Sequence, residues 1–163
     1  MDAPNPPPRN TPTPKRVLAT TDGSCETQTG EGGWAYHLSF ARFERTASGY
    51  EAATTNNRME LTAAVRALEA LTEPCEVTIV TDSQYLKKAF TDGWLANWQR
   101  NGWRTASKQP VKNRDLWERL LELTGTHRVQ WTWTKGHAGH ARNEEVDDLA
   151  LQARRERRGR AHG

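Results

Sequence analysis

Four carboxylates are set apart by their surroundings. Asp22 in "TTDGS" and Asp82 in "VTDSQ" each close an apolar, β-branched run and precede Gly or Ser. Such runs read as strands, and open sheets with parallel strands collect ligands beyond the strands' carboxyl ends. Glu60 lies in "NNRMELTAAVRALEALT", whose helical stripe is Leu61, Ala64, Val65, Leu68 and Thr72. On a helical wheel Glu60 falls between Leu71 and Ala67, at the border of the buried face. Asp147, in "RNEEVDDLALQARRERR", flanks the face of Val146, Leu149, Ala150 and Ala153, whereas Asp148 points away. Each residue alone has a plainer reading. Asp-Gly opens many hairpin turns, although the next strand, near Gly33, is too distant for a two-residue loop after Asp22. Asp-Ser at position 82 is good N-cap chemistry, and a glutamate at a helix border usually meets water. Gathered together, the four would repel one another unless cations neutralised them. An all-oxygen donor set selects hard ions such as Mg²⁺ or Mn²⁺ over zinc. Two such ions about 4 Å apart suit phosphodiester cleavage.

Gathering them requires a sheet, and the chain supplies its parts. An ordered domain begins near Lys15. "RVLATTD", "GGWAYHLSFA" and "FERTASGYEA" read as three strands of an antiparallel meander. The helix that follows has Asn56 or Asn57 as its N-cap. "EVTIVTD" is the short, continuous apolar run of a parallel strand buried on both faces. "SQYLKKAFTDGWLANWQRNGW" reads as a helix, a Gly break and a second short helix. "VKNRDLWERLLELTG" is an amphipathic helix with Gly125 as its C-cap. "HRVQWTWT" is a fifth strand, and the Asp147 segment is the last helix. The order β-β-β-α-β-α-α-α-β-α predicts an α/β fold. Its five-stranded mixed sheet has three antiparallel strands, then parallel ones, and is flanked by helices. In that fold Ser83, rather than Asp82, can cap the helix after the fourth strand.

Composition narrows the class. At 163 residues, with 35% hydrophobic and 26% charged residues, the chain suits one soluble domain. Residues 1–14 hold most of its prolines and read as an extended, disordered arm. Residues 15–153 form the domain, and 154–163 an Arg-rich tail. That tail sets Arg154, Arg155, Arg157, Arg158 and Arg160 against Glu156, so the net charge of +3 originates there. Such a run is usually a solvated helix end and sometimes a nucleic-acid contact. Cys25 and Cys75 fit neither zinc nor disulfide spacing, in keeping with a reducing cytoplasm. No stretch approaches the roughly 20 apolar residues of a membrane span. The pair His137 and His140 could ligate zinc, but no third zinc-type ligand stands at suitable spacing. Gly136 and Gly139 suggest a mobile loop there. Trp94 and Trp98 stand one helical turn apart, near Arg100, Trp103, Arg104 and Lys108, in an aromatic and cationic mixture suited to nucleic-acid backbone and sugar. The plainer reading is an apolar cluster. Trp34, Trp117, Trp131 and Trp133 are assigned to core packing.

The blocks "TDGSC", "TTNNRMELTAA", "VTDSQY", "GWLANWQRNGW", "VKNRDLW", "WTWTKGHAGH" and "NEEVDDLA" resemble those of the bacterial, cellular type 1 ribonuclease H family. They keep that family's order and spacing across about residues 16–151. The resemblance implies that Asp22, Glu60, Asp82 and Asp147 are catalytic carboxylates binding two Mg²⁺ ions, with Mn²⁺ as a substitute. It implies that His137 serves proton transfer or product release. The implied activity is endonucleolytic hydrolysis of the RNA strand of RNA–DNA hybrids, leaving 5′-phosphate and 3′-hydroxyl ends. By the same match Cys25, Asn56, Asn57 and Gln84 read the hybrid's minor groove. Thr55 and Asn113 grip a DNA-strand phosphate. Residues about 92–112, with Trp94, Trp98, Arg100 and Arg104, form a handle on the DNA strand. A cytoplasmic monomer without an obligate protein partner is implied. A non-catalytic hybrid-binding module would be expected to lose one of the acidic positions. A resolvase or transposase core on the same fold would need partner domains or a dimer interface.

Two departures from the family pattern carry expectations. After Cys25 the usual Gly-Asn-Pro-Gly-Pro-like loop is replaced by "ETQTGEGG". Gln28 then stands where an asparagine touches RNA, and Glu26 adds negative charge near the site. Gln99 and Asn101 replace common basic residues of the handle. Weaker, more salt-sensitive hybrid binding is expected unless the Arg-rich tail compensates.

Overall fold

Strands β1 (Lys15–Cys25), β2 (Gly32–Phe40) and β3 (Phe43–Glu51) form the antiparallel meander. The computed structural model describes residues 13–134 and 141–162. Helix α1 (Asn56–Glu69) leads to β4 (Cys75–Thr81), then α2 (Gln84–Thr91), α3 (Trp94–Arg100), α4 (Arg114–Thr126), β5 (Arg128–Trp133) and α5 (Ala141–Glu156). A last strand, β6 (Arg160–His162), closes the described chain. The sheet runs β5-β4-β1-β2-β3-β6, with β1, β4 and β5 mutually parallel and the other pairings antiparallel. The mixed α/β architecture is the expected one. The sixth strand is not: a basic tripeptide with no apolar alternation carries no strand signal. It forms because Gly159 passes so close to β3 that a Cβ there would meet the Ser48 carbonyl oxygen at 2.2 Å. The Arg160 N–H then donates to Ser48 Oγ at 3.1 Å.

Alternation along the strands divides the core in two. Val17 and Ala19 of β1, Tyr36 and Leu38 of β2, and Val77 and Ile79 of β4 face α1 and α4 in the larger cluster. Ala35 faces the other way, against Val146 and Ala150 of α5. Helix α1 is buried almost all round, from Met59 to Leu68, because it packs on β1 and β2 with α4 behind it. A helix in that position has no solvent face for Glu60, so a border residue on the wheel is 6% exposed. Trp117 is wholly enclosed, whereas Trp34, Trp131 and Trp133 pack half-buried at the rim.

Two helix ends differ from the sequence reading. The N-cap of α1 is Thr55, in extended backbone, whose hydroxyl oxygen accepts from Arg58 N–H at 3.1 Å; Asn56 is already helical. Farther along, α4 runs through Gly125 and ends at His127, which is extended. With β5 starting at Arg128, the backbone turns straight into a strand and needs no left-handed residue. The Ser83 cap is observed: its side chain accepts from Leu86 N–H at 3.1 Å.

Candidate metal centre and nucleic-acid interface

Register brings the first two carboxylates level. Thr20 pairs with Val80 across the parallel β1–β4 ladder. Asp22 and Asp82 each lie two residues further along adjacent chains, at the sheet's carboxyl edge. The other two arrive on helices seated by glycines. A Cβ on Gly23 would come within 2.5 Å of the backbone of Met59 and Glu60, so only glycine lets the first turns of α1 sit over the end of β1. A Cβ on Gly33 would meet the Ala150 carbonyl oxygen at 2.2 Å, so only glycine lets α5 lie flat on β2. Asp147 is one turn before Ala150 and thereby comes within hydrogen-bonding reach of Asp22. Asp148 is exposed.

Ligand oxygens of Asp22, Glu60 and Asp82 all lie within 4.8 Å of one another. Asp22 is 3% exposed, and its Oδ1 accepts from Gly23 N–H at 2.9 Å. Burial, chiefly, and then the Glu60 charge push the Asp22 carboxyl up to about 10, with Asp147 and Asp82 adding to the effect. Burial and the Asp82 charge push Glu60 up to about 8, against hydrogen bonds from Asp22 and Gly23. Glu60 Oε2 is buried without a hydrogen-bond partner among the described residues. Such a cluster holds protons because negative charge is crowded out of water. A hard divalent cation would relieve the same crowding, and the all-oxygen donor set fits one. His137 lies outside the described residues, as do His140 and residues 1–12 of the N-terminal arm.

Next to this centre the other predicted residues divide into two groups. Cys25 ends β1, with its thiol on the Thr54 and Glu26 carbonyls at 3.6 and 3.7 Å. Asn56 and Asn57 are exposed on the first turn of α1, and Gln84 is exposed at the start of α2. Further out, Asn113 is left-handed (φ 62) and does not cap α4 with its side chain. Its amide instead donates to Tyr85 Oη at 3.3 Å, while its oxygen accepts from Arg58 at 3.4 Å. Arg58 also forms a bidentate pair with Asp115 at 2.6 and 3.0 Å. Thr55, Arg58 and Asn113 thus form one constellation, beside a groove of about 700 Å³ that Thr55 and Asn113 line. Sequence reading misses Arg58: its place one turn after Thr55 is legible, but its partner on α4 is not.

The handle is held by a cluster of mutually tilted rings. Trp94, Trp98 and Trp103 succeed one another at 5.9 and 6.2 Å between centroids, and Trp98 meets buried Trp117 at 5.7 Å. Tyr85 packs on Trp94 and Trp117 and accepts from the Trp117 indole N–H at 3.1 Å. The half-buried Trp94 and Trp98 therefore anchor the handle, and both also line a second groove, of about 550 Å³, with the exposed Arg100 and Arg104.

A family model described as RNase H matches residues 14–155. The chain belongs to the RNase H family. A Ribonuclease H of Thermus thermophilus is 55% identical over 157 residues, covering 96% of this chain and 90% of the relative. A Ribonuclease H of Halorhodospira halophila is 57% identical over 136 residues, covering 83% and 91%. Among solved structures, the crystal structure of LC9-RNase H1, a type 1 RNase H with the type 2 active-site motif, is similar with a TM-score of 0.79 and 31% identity, covering 90% of this chain and 75% of that one. A foamy viral protease-reverse transcriptase, solved with double-stranded DNA, shares the fold alone, at a TM-score of 0.63 and 19% identity. This member of the RNase H family is of the bacterial, type 1 kind, and it is an enzyme of that class.

Proposed function

We propose that the protein is an endoribonuclease that hydrolyses the RNA strand of RNA–DNA hybrids and leaves 5′-phosphate and 3′-hydroxyl ends. One observation carries the reading: in an RNase H family chain, Asp22, Glu60 and Asp82 bring carboxylate oxygens within 4.8 Å of one another. Together with Asp147 they would hold two divalent cations, Mg²⁺ or Mn²⁺. Bound there, such ions supply Lewis acidity for the attacking water and for the departing 3′-oxygen. The chain's own residues do the rest. Asp22 and Glu60 keep their oxygens out of bulk water, and Ser83 caps α2 in place of Asp82. Cys25, Asn56, Asn57 and Gln84 stand where the 2′-hydroxyl, which separates RNA from DNA, would be read. The Thr55 hydroxyl accepts from Arg58 N–H and keeps its own proton to donate to a phosphate. Arg58 and Asn113 complete that grip, and Arg100 and Arg104 extend it along the DNA strand. The free thiols Cys25 and Cys75 accord with a reducing compartment, and we assign a cytoplasmic monomer.

The test is cleavage of end-labelled RNA–DNA hybrid, duplex DNA and duplex RNA with Mg²⁺ or Mn²⁺. Cutting of the hybrid's RNA strand alone, lost in Asp82→Asn, is the expected result. Binding of hybrid without cleavage under either ion would mark a non-catalytic module, and cleavage of duplex DNA a resolvase-like nuclease.

A further inference from the structure

The unusual loop after Cys25 and the unusual Arg-rich tail meet in space. Arg154, near the end of α5, donates from Nε to Ser24 Oγ at 3.2 Å and sets Nη1 3.6 Å from Glu26. Its side chain is only 17% exposed, so it is wedged against the strand end rather than waving from it. One turn on, Arg157 pairs with Glu31 at 3.1 Å. The loop between those glutamates is tightly closed: Glu26 N–H donates to the Glu31 carbonyl, and Gly30 N–H to the Glu26 carbonyl, each at 2.8 Å. Thr54 N–H in turn donates to the Gly30 carbonyl at 2.8 Å. A continuous path of bonds therefore runs from α5 through loop 26–31 to the Thr55–Asn57 turn. Arg158 and Arg160 pair with Glu156. The tail's cations are thus largely engaged by the protein's own carboxylates, which argues against their compensating directly for a weak handle.

We propose that Arg154 is a positioning residue for substrate recognition: by tying Ser24 and neutralising Glu26, it fixes the loop that carries Gln28 and keeps Glu26's charge away from the hybrid's phosphates, with Arg157 as the second tie. The substrate part rests on the proposed hybrid-cleaving function; the structural part does not. A glutamate left uncompensated beside a polyanion weakens binding through repulsion, whereas the metal centre, held by Gly23 and Gly33, stays as built. Arg154 therefore acts on KM.

Two readouts test this. The first is amide hydrogen exchange without substrate, following Glu26, Gly30 and Thr54. Losing one hydrogen bond and one ion pair opens a local unit by roughly three- to tenfold, so these amides exchange that much faster in Arg154→Gln. Unchanged exchange overturns the inference whatever the enzyme cleaves. The second is steady-state hydrolysis of a labelled hybrid by wild type, Arg154→Gln, Glu26→Gln and the double variant. KM rises roughly three- to tenfold in Arg154→Gln while kcat holds within about twofold, and the rise shrinks in the Glu26→Gln background because the two residues share one interaction. Equal effects of Arg154→Gln in both backgrounds would mean that Arg154 touches the nucleic acid directly and would overturn the positioning role. A fall in kcat with KM unchanged would overturn it too. Should Arg154→Gln fold poorly, Glu26→Gln alone keeps the test. It breaks the same ion pair from the loop side, so the Glu26, Gly30 and Thr54 amides exchange faster, and unchanged exchange overturns the tie. A wild-type protein that leaves hybrid uncut refutes the proposed function, separately from the exchange result.

Discussion

At the scale of single residues, the centre is costly to the fold. Asp22 and Glu60 are raised to about 10 and about 8, above ordinary values of 3.8 and 4.5, mainly by burial. An acid whose folded value is raised contributes stability that is full below its unfolded value and is lost as pH climbs through the folded one. The metal-free protein should therefore lose stability between about pH 4 and about pH 10. Thermal unfolding in chelator across that range checks this, and added Mg²⁺ should flatten the loss at neutral pH by binding only the folded state. At neutral pH the fold must hold a proton on Asp22 that the unfolded chain releases, and Asp22→Asn removes that requirement while nearly keeping the shape. It should abolish hydrolysis yet raise the metal-free melting temperature at neutral pH by several degrees, at about 2–4 °C per kcal/mol. A lowered melting temperature would show that Asp22 stabilises the fold and that protonating it on burial is not the dominant cost.

Elements place these residues through backbone contact. Glu60 and Asp147 sit on different helices on opposite faces of the sheet, and each helix is seated on a glycine, Gly23 for α1 and Gly33 for α5. Gly33→Ala would drive a methyl to 2.2 Å from the Ala150 carbonyl oxygen, so α5 must lift. A misplacement of about 1 Å costs on the order of 10²-fold in rate. The expected outcome is a folded protein whose kcat falls by roughly that factor while hybrid affinity, measured in Ca²⁺ or chelator, changes little. Equal losses in affinity and rate would place the damage outside the centre. Gly33 gives no such signal in the sequence, where it is simply part of a strand beginning "GGW".

For the whole molecule, the question is where its positive charge is spent. Arg100 and Arg104 are exposed on the handle, whereas Arg157, Arg158 and Arg160 are ion-paired at home. Replacing Arg100 and Arg104 by Ala should weaken hybrid binding and flatten its log–log salt dependence by about 0.7–0.9 for each phosphate no longer neutralised. A handle short of basic residues thus binds more weakly but less salt-sensitively, opposite in slope to the expectation from the sequence. Ending the chain at Glu156 should leave that slope nearly unchanged. It should instead lower the melting temperature by a few degrees, at about 2–4 °C per kcal/mol, and promote self-association, since β3 loses β6 and becomes an open sheet edge. Affinities measured from about 50 to about 200 mM salt decide between the two regions. A tail deletion that flattens the slope as much as the handle variant does would return the tail to the nucleic acid.

Much of this is legible in the chain itself. Period-two and period-3.6 patterns are local, so the five principal strands, the helices and the inward lean of Glu60 and Asp147 can be read from neighbouring residues. Ser83 as a cap is legible for the same reason. Residues far apart in the chain have no such signature. The level pairing of Asp22 with Asp82 depends on a parallel register, and the seats at Gly23 and Gly33 depend on which helix crosses there. Strand β6 depends on an edge laid down by β3, far earlier in the chain. Loop "ETQTGEGG" and the Arg-rich tail read as two separate departures in sequence. Tertiary structure alone makes them partners, because a charge has no address in the chain and finds its counterpart only when α5 folds back across β1.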